Sequence, residues 1–160
     1  MKRLWAPWRL EYIKSAKEKG CVFCKAGTGR PGEGLLLYRG RHSLVVLNKY
    51  PYNNGHLMVA PLRHAADIES LTGEESADIF RLLAHSTRIL TESMAPGGFN
   101  IGMNIGKAAG AGIDDHLHVH VVPRWPGDAN FMPVLADVKV MPEHLTDTLA
   151  RLLPHYESID

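Results

Sequence analysis

Residues 116–124, His-Leu-His-Val-His-Val-Val-Pro-Arg, alternate histidine with an aliphatic residue. In a strand, residues two apart line one face. His116, His118 and His120 therefore share a face, and Leu117, Val119 and Val121 take the opposite one. A chain that contains this segment must build a sheet with one apolar face and one face carrying imidazoles. Histidines that merely meet water need no such register, so the pattern reads as the wall of a site.

Other segments supply the rest of the sheet. LLLYRG (35–40), SLVVLNK (43–49) and HLMVAP (56–61) read as short strands, with the turn PYNNG (51–55) before the third, which suggests an antiparallel meander. FNIGMNIG (99–106) reads as a fourth strand and the histidine segment as the fifth. Between them, Thr72-Gly-Glu-Glu75 is a capping box, and Ile79, Leu82, Leu83 and Leu90 then recur on one helical face until Ala95-Pro-Gly-Gly98 stops the helix. Trp5-Ala-Pro-Trp8-Arg9 opens an N-terminal helix, with Trp8, Tyr12 and Ile13 on its docked side, and an amphipathic helix fits Pro142 to Leu153. The expected class is α+β: a five-stranded antiparallel sheet with one long helix packed on it and a C-terminal extension. The chain reads as a single domain over 1–160, with a core at about 20–125, an N-terminal helix over 1–19 and an extension over 126–160.

Charge narrows the function classes. A formal net charge of +1 gives no broad basic field for nucleic acid or for an acidic membrane. No apolar run reaches the ~18 residues of a membrane span, and MKRLWAPWRLEYIK lacks the apolar stretch of a signal peptide. The expected address is cytoplasmic. Cys21 and Cys24 are the two cysteines, and in a reducing compartment their CVFC spacing suggests metal ligation or a redox pair rather than a structural disulfide.

A neutral imidazole is a good nucleophile toward phosphorus, and the phosphoramidate it forms can be attacked again. The chain offers no G-x-S-x-G elbow, and Gly106-Lys107 lacks the flanking pattern of a Walker loop. The KAAGAG loop (107–112) is either a plain turn or a nest whose N–H groups and neighbouring Lys107 face phosphate.

His116-Leu-His118-Val-His120-Val-Val, with Pro123-Arg124 after it and Asn48 and Gly55-His56-Leu-Met-Val-Ala-Pro61 before it, resembles the signature of the histidine triad (HIT) family of nucleotide hydrolases and transferases. The resemblance spans about residues 20 to 125, and the WAPWR opening and PRWPGDANF tail are similar to the prokaryotic branch near the fragile-histidine-triad and diadenosine tetraphosphate phosphorylase enzymes. It implies catalytic roles for His116, His118 and His120: His118 attacks the α-phosphate, and His120 bonds phosphate oxygens and helps the leaving group depart. It places Asn48, His56, Asn104, Gly110, Ala111, Gly112, Ile113 and His120 against a purine nucleotide, and it implies a homodimer. His64 and His116 match the zinc-ligand positions of metal-containing members, which with Cys21 and Cys24 would complete a closed, structural zinc site. A nucleophilic histidine needs its ring held in one tautomer, and the Gly112 backbone or a carbonyl of that loop is the expected partner. The sequence departs from the family pattern at Gly110-Ala-Gly-Ile-Asp-Asp115, where many members place a hydroxyl or amide before the triad.

The expectation is an enzyme that cleaves dinucleoside polyphosphates of the diadenosine tetraphosphate type through a nucleotidyl-histidine, with phosphate or water as acceptor. The alternatives are a nucleoside phosphoramidate hydrolase and a non-catalytic nucleotide-binding regulatory protein. Trp125 and Phe131 either stack on a base or pack the C-terminus.

Overall fold

The computed structural model describes residues 20–110, 112–128 and 143–159. The expected helix over 1–19, Ala111, Phe131 and Pro142 lie outside the described residues. The elements run α1 (Val22–Gly27), β1 (Leu36–Arg39), β2 (Ser43–Leu47), β3 (Leu57–Pro61), α2 (Gly73–Met94), β4 (Gly98–Gly102), a short 3-10 turn (Lys107–Ala109), β5 (Val119–Arg124) and α3 (Leu145–Glu157). The strands form one sheet in the order β1-β2-β3-β5-β4, antiparallel at every step.

Every residue of β2 and β3 is buried because both faces of the sheet are covered. Leu37, Val45, Leu47, Leu57, Val59, Val119 and Val121 pack on one side against Ile79, Leu82, Leu83 and Leu90 of α2 and Leu152 and Tyr156 of α3. Leu36, Leu44, Val46, Met58 and Ala60 face the other side, where Phe23 of α1 closes over them. His120 pairs with Met58 in the ladder, which assigns the histidine face to this second side, away from α2.

Helix α2 starts as its sequence predicts. Thr72 Oγ1 accepts from the Glu75 N–H at 3.2 Å, and Glu75 Oε2 accepts from the Thr72 N–H at 2.9 Å. Arg63, just beyond β3, grips the same carboxylate through Nε and Nη2 at 2.9 and 2.7 Å. That guanidinium, with the Thr72 bonds, outweighs burial and holds the Glu75 carboxyl at about 2. A lowered carboxylate value stabilises the fold above its unfolded range and is lost as pH falls through the folded value. We expect the urea midpoint to fall more steeply between pH 5 and pH 2 in the unaltered protein than in Glu75→Gln. Parallel slopes in the two proteins would refute that assignment.

Several boundaries differ from expectation. β4 ends at Gly102 rather than 106, because Gly102 pairs with His120 and the partner chain before Val119 has left the ladder. His116 to His118 therefore precede β5 and are tied instead to the segment after β3, with the Leu117 N–H donating to the Ala65 carbonyl at 2.6 Å. CVFC is the first turn of a helix, with Cys21 at its N-cap. The extension adds a second helix to the α2 side of the sheet: α3 lies against β1 and α2 and runs to Glu157, with the buried Tyr156 hydroxyl 2.7 Å from Ser86 Oγ. Among the described residues no helix is long and apolar enough to cross a membrane.

Candidate active site and metal cluster

A cavity of about 610 Å³ opens on the histidine face. Phe23, Leu36, Val46 and Met58 form an apolar wall, while Asn48, Asn104, Gly110, Gly112, Ile113, His118 and His120 bring polar groups and backbone to it. Among the described residues, His56, expected at a nucleotide, and His116, expected as catalytic and as a zinc ligand, do not line this cavity. Lys25 and Lys49 do line it, and so do Tyr50 and Tyr52, none of which the motif had singled out. In the sequence they are marked only by position: Lys25 directly follows Cys24, Lys49 and Tyr50 precede the PYNNG turn, and Tyr52 lies within it.

His118 is fixed from behind. Its Nδ1 lies 2.8 Å from the main-chain carbonyl of His116. A carbonyl only accepts, so Nδ1 carries the proton and Nε2 keeps its lone pair. The orienting partner is thus the backbone two residues earlier, not the Gly112 loop. The Phe23 ring packs 4.8 Å away, centroid to centroid, and holds the imidazole against the sheet. Burial lowers the His118 value, against the opposing effect of the carbonyl bond, so the ring is neutral at pH 7.

A second chain of hydrogen bonds sets His120. The Tyr52 N–H donates to His56 Nδ1 at 2.9 Å, which leaves the His56 proton on Nε2. That Nε2–H donates to His120 Nδ1 at 2.9 Å. His120 consequently carries its own proton on Nε2, on the cavity side of the pair. Burial, and then the adjacent His118, hold His120 at about 4, so it is a neutral donor. His56 is fully buried behind it, and the Asn48 amide nitrogen lies 3.4 Å from both of its ring nitrogens. His56 thus acts on the cavity through His120 rather than by touching what enters.

His116 turns the other way. Its Nε2 donates to the Pro61 carbonyl at 2.9 Å, leaving the Nδ1 lone pair aimed at the thiols. Nδ1 lies 3.2 Å from Cys21 Sγ and 3.6 Å from Cys24 Sγ, and His64 Nδ1 lies 3.3 Å from Cys24 Sγ. All four ligand atoms fall within 4.8 Å of one another, a set that can hold a metal ion. Burial, and then the neighbouring Cys21, push the Cys24 thiol up. His116 is thus one residue with two jobs: its ring belongs to the cluster and its carbonyl to His118.

Two further expectations resolve. Trp125 is not at the cavity; its Nε1–H caps α2 by donating to the Met94 carbonyl at 3.2 Å, which is the packing alternative. Lys107 is exposed, stands 3.7 Å from Asp114 and does not line the cavity.

The sequence model described as HIT domain matches residues 33–127. The chain is 42% identical over 157 residues to a protein named AP-4-A phosphorylase from Mycobacterium tuberculosis, covering 92% of this chain and 80% of that one. It is 33% identical over 104 residues to adenosine 5'-monophosphoramidase hnt1 of Schizosaccharomyces pombe, covering 65% and 74%. Among solved structures, a zinc-bound histidine triad family protein from Mycobacterium smegmatis superposes with a TM-score of 0.67 at 27% identity, covering 86% of this chain and 94% of that one.

Proposed function

The chain belongs to the histidine triad family, and on that premise we propose that it is an enzyme that cleaves dinucleoside polyphosphates of the diadenosine tetraphosphate type through His118. The observation that carries the reading is the bond from His118 Nδ1 to the His116 carbonyl, which makes Nε2 a neutral nucleophile at a nucleotide-sized cavity. The apolar wall of Phe23, Leu36, Val46 and Met58 suits a purine, and Asn48, Asn104 and the backbone at Gly110, Gly112 and Ile113 suit ribose and phosphate. Ala111 belongs to the same loop and is assigned with it. Lys25 and Lys49 bring positive charge to the cavity lining, suited to the polyphosphate.

In the first step His118 Nε2 forms a bond to the α-phosphorus as the bond from that phosphorus to the bridging oxygen breaks. The leaving polyphosphate takes the electron pair, and the His120 Nε2–H donates a hydrogen bond to the leaving oxygen. In the second step the acceptor oxygen attacks the same phosphorus in line and frees His118. Inorganic phosphate as acceptor gives ADP and ATP; water gives AMP and ATP. Lys107 lies away from the cavity, so what supports a phosphate acceptor is the likeness to the Mycobacterium tuberculosis protein named AP-4-A phosphorylase.

Cys21, Cys24, His64 and His116 suit zinc. From ordinary zinc–sulfur and zinc–nitrogen bond lengths, tetrahedral ligand atoms lie roughly 3.3–3.8 Å apart, close to the three sulfur–nitrogen spacings of 3.2, 3.3 and 3.6 Å in a cluster whose four ligand atoms lie within 4.8 Å of one another. With four protein ligands the ion would be a structural cross-link between α1, the segment after β3 and the triad. The reading is completed by a cytoplasmic setting, where thiols stay reduced, and by a homodimer. β4 is an outer strand that exposes Ile101, with Ile105 exposed just beyond it, an edge that a second copy would cover.

The test is product analysis of diadenosine tetraphosphate with and without inorganic phosphate. We expect ATP plus ADP, dependent on phosphate. ATP plus AMP regardless of phosphate makes the enzyme a hydrolase. Adenosine 5'-phosphoramidate is assayed beside it because of the Schizosaccharomyces pombe relative. Turnover of that compound alone would replace the proposed substrate class, and turnover of neither would favour a binding protein.

A further inference from the structure

The turn between β2 and β3 lends the site a backbone group as well as a side chain: the Tyr52 N–H sets the tautomers of His56 and His120. What holds this turn is therefore part of the catalytic geometry. We infer that Glu143 and Thr148, at the start of α3 and outside the family-matched residues 33–127, are positioning residues for the His56–His120 pair, acting through Asn54. The inference rests on the proposed role of His120 as donor to the leaving oxygen.

Glu143 is the hub. Its Oε2 accepts from Asn54 Nδ2 at 3.3 Å and from Thr148 Oγ1 at 2.8 Å, and its Oε1 pairs with Arg151. Thr148 Oγ1 also lies 3.3 Å from Asn54 Oδ1 and 3.2 Å from the His144 carbonyl, but its single hydrogen goes to the nearest acceptor, the carboxylate. Asn54 is 8% exposed and Thr148 1%, so these groups have little water to replace a lost partner. On the other side of the turn, Asn53 Nδ2 donates to the Pro123 carbonyl at 3.0 Å and to Asp128 Oδ2 at 2.9 Å. Gly55 follows at φ +70°, where an added Cβ would meet Met94 Sδ at 2.8 Å. The turn is held from both sides, and α3 supplies one of them.

The consequence is specific. If the Asn54 anchor is lost, the turn moves and the Tyr52 N–H no longer holds His56 Nδ1 as an acceptor. The proton of His56 can then sit on Nδ1, which makes its Nε2 an acceptor and requires the proton of His120 on Nδ1. His120 Nε2 would then present a lone pair to a leaving oxygen that needs a donor.

The test compares the full-length protein with Glu143→Ala, Glu143→Gln and the milder Thr148→Val. Two readings are taken: nitrogen chemical shifts of the histidine rings, and kcat across adenosine aryl phosphodiesters of graded leaving-group acidity. We expect Glu143→Ala to shift His120 toward the Nδ1–H tautomer. It should also lower kcat about tenfold, a fraction of what a positioned proton donor supplies, and steepen the dependence on leaving-group acidity. Glu143→Gln should restore all three, because its amide oxygen still accepts from Asn54. Thr148→Val should move them in the same direction by less, and it carries the test if Glu143→Ala fails to fold. Unchanged tautomers in the folded variants, or a kcat loss with an unchanged dependence, overturns the inference. If the unaltered protein turns over no nucleotide, the functional reading fails, while the chemical shifts still decide whether α3 sets the pair.

Discussion

His118→Asn lowers turnover of diadenosine tetraphosphate by at least about a thousandfold while nucleotide affinity stays within a few fold: this is the expected result for a residue that forms the covalent bond. An asparagine amide has no lone pair basic enough to attack phosphorus, so the loss falls on the transition state rather than on binding. Affinity comes from other groups, the apolar wall of the cavity and its loop backbone, and these keep their places. The unaltered enzyme should also keep its activity below the ordinary histidine value of about 6.5, because burial lowers the His118 value and its Nε2 stays unprotonated there. Steady-state kinetics and equilibrium binding measure the two halves. Turnover close to that of the unaltered protein in the variant would rule out attack by His118.

The second large effect is on stability. We expect one zinc per chain in freshly purified, reduced protein, and a fall of about 10 °C in Tm on chelation or in Cys24→Ser. Structural zinc contributes on the order of 10 kcal/mol in domains that fold around it. This chain has an independent core on both faces of its sheet, so only part of that depends on the ion. A loss of about 3 kcal/mol corresponds to roughly 10 °C in a domain of this size. The effect on catalysis should follow at second hand, through the His116 carbonyl behind His118. Elemental analysis that finds no zinc, or a Tm unmoved by chelation, would leave the cluster without its metal.

Much of this was legible in the residue order because it depends on neighbours. The Thr72–Glu75 box and the spacing of Ile79, Leu82, Leu83 and Leu90 specify α2 from within one segment, and α2 forms as expected. The alternation from His116 to Val121 marks the strand that forms from Val119 and the polar face on which His118 and His120 meet the cavity. The Cys and His positions that gather into the cluster were likewise named from the sequence, through the family resemblance, although they lie up to 95 residues apart.

What the tertiary structure alone decided is where the protons sit. The tautomer of His118 depends on a carbonyl, and that of His120 on a ring and a backbone N–H that reach it from the turn before β3. Main-chain carbonyls and N–H groups are the same at every position, so no residue letter marks which one will face an imidazole. The same reason hid the partner of Trp125, the Met94 carbonyl at the end of α2, whereas the side-chain link from Asn54 to Glu143 was hidden by the 89 residues between them. Side-chain chemistry is written in the sequence; its pairing with the backbone exists only once the elements have packed.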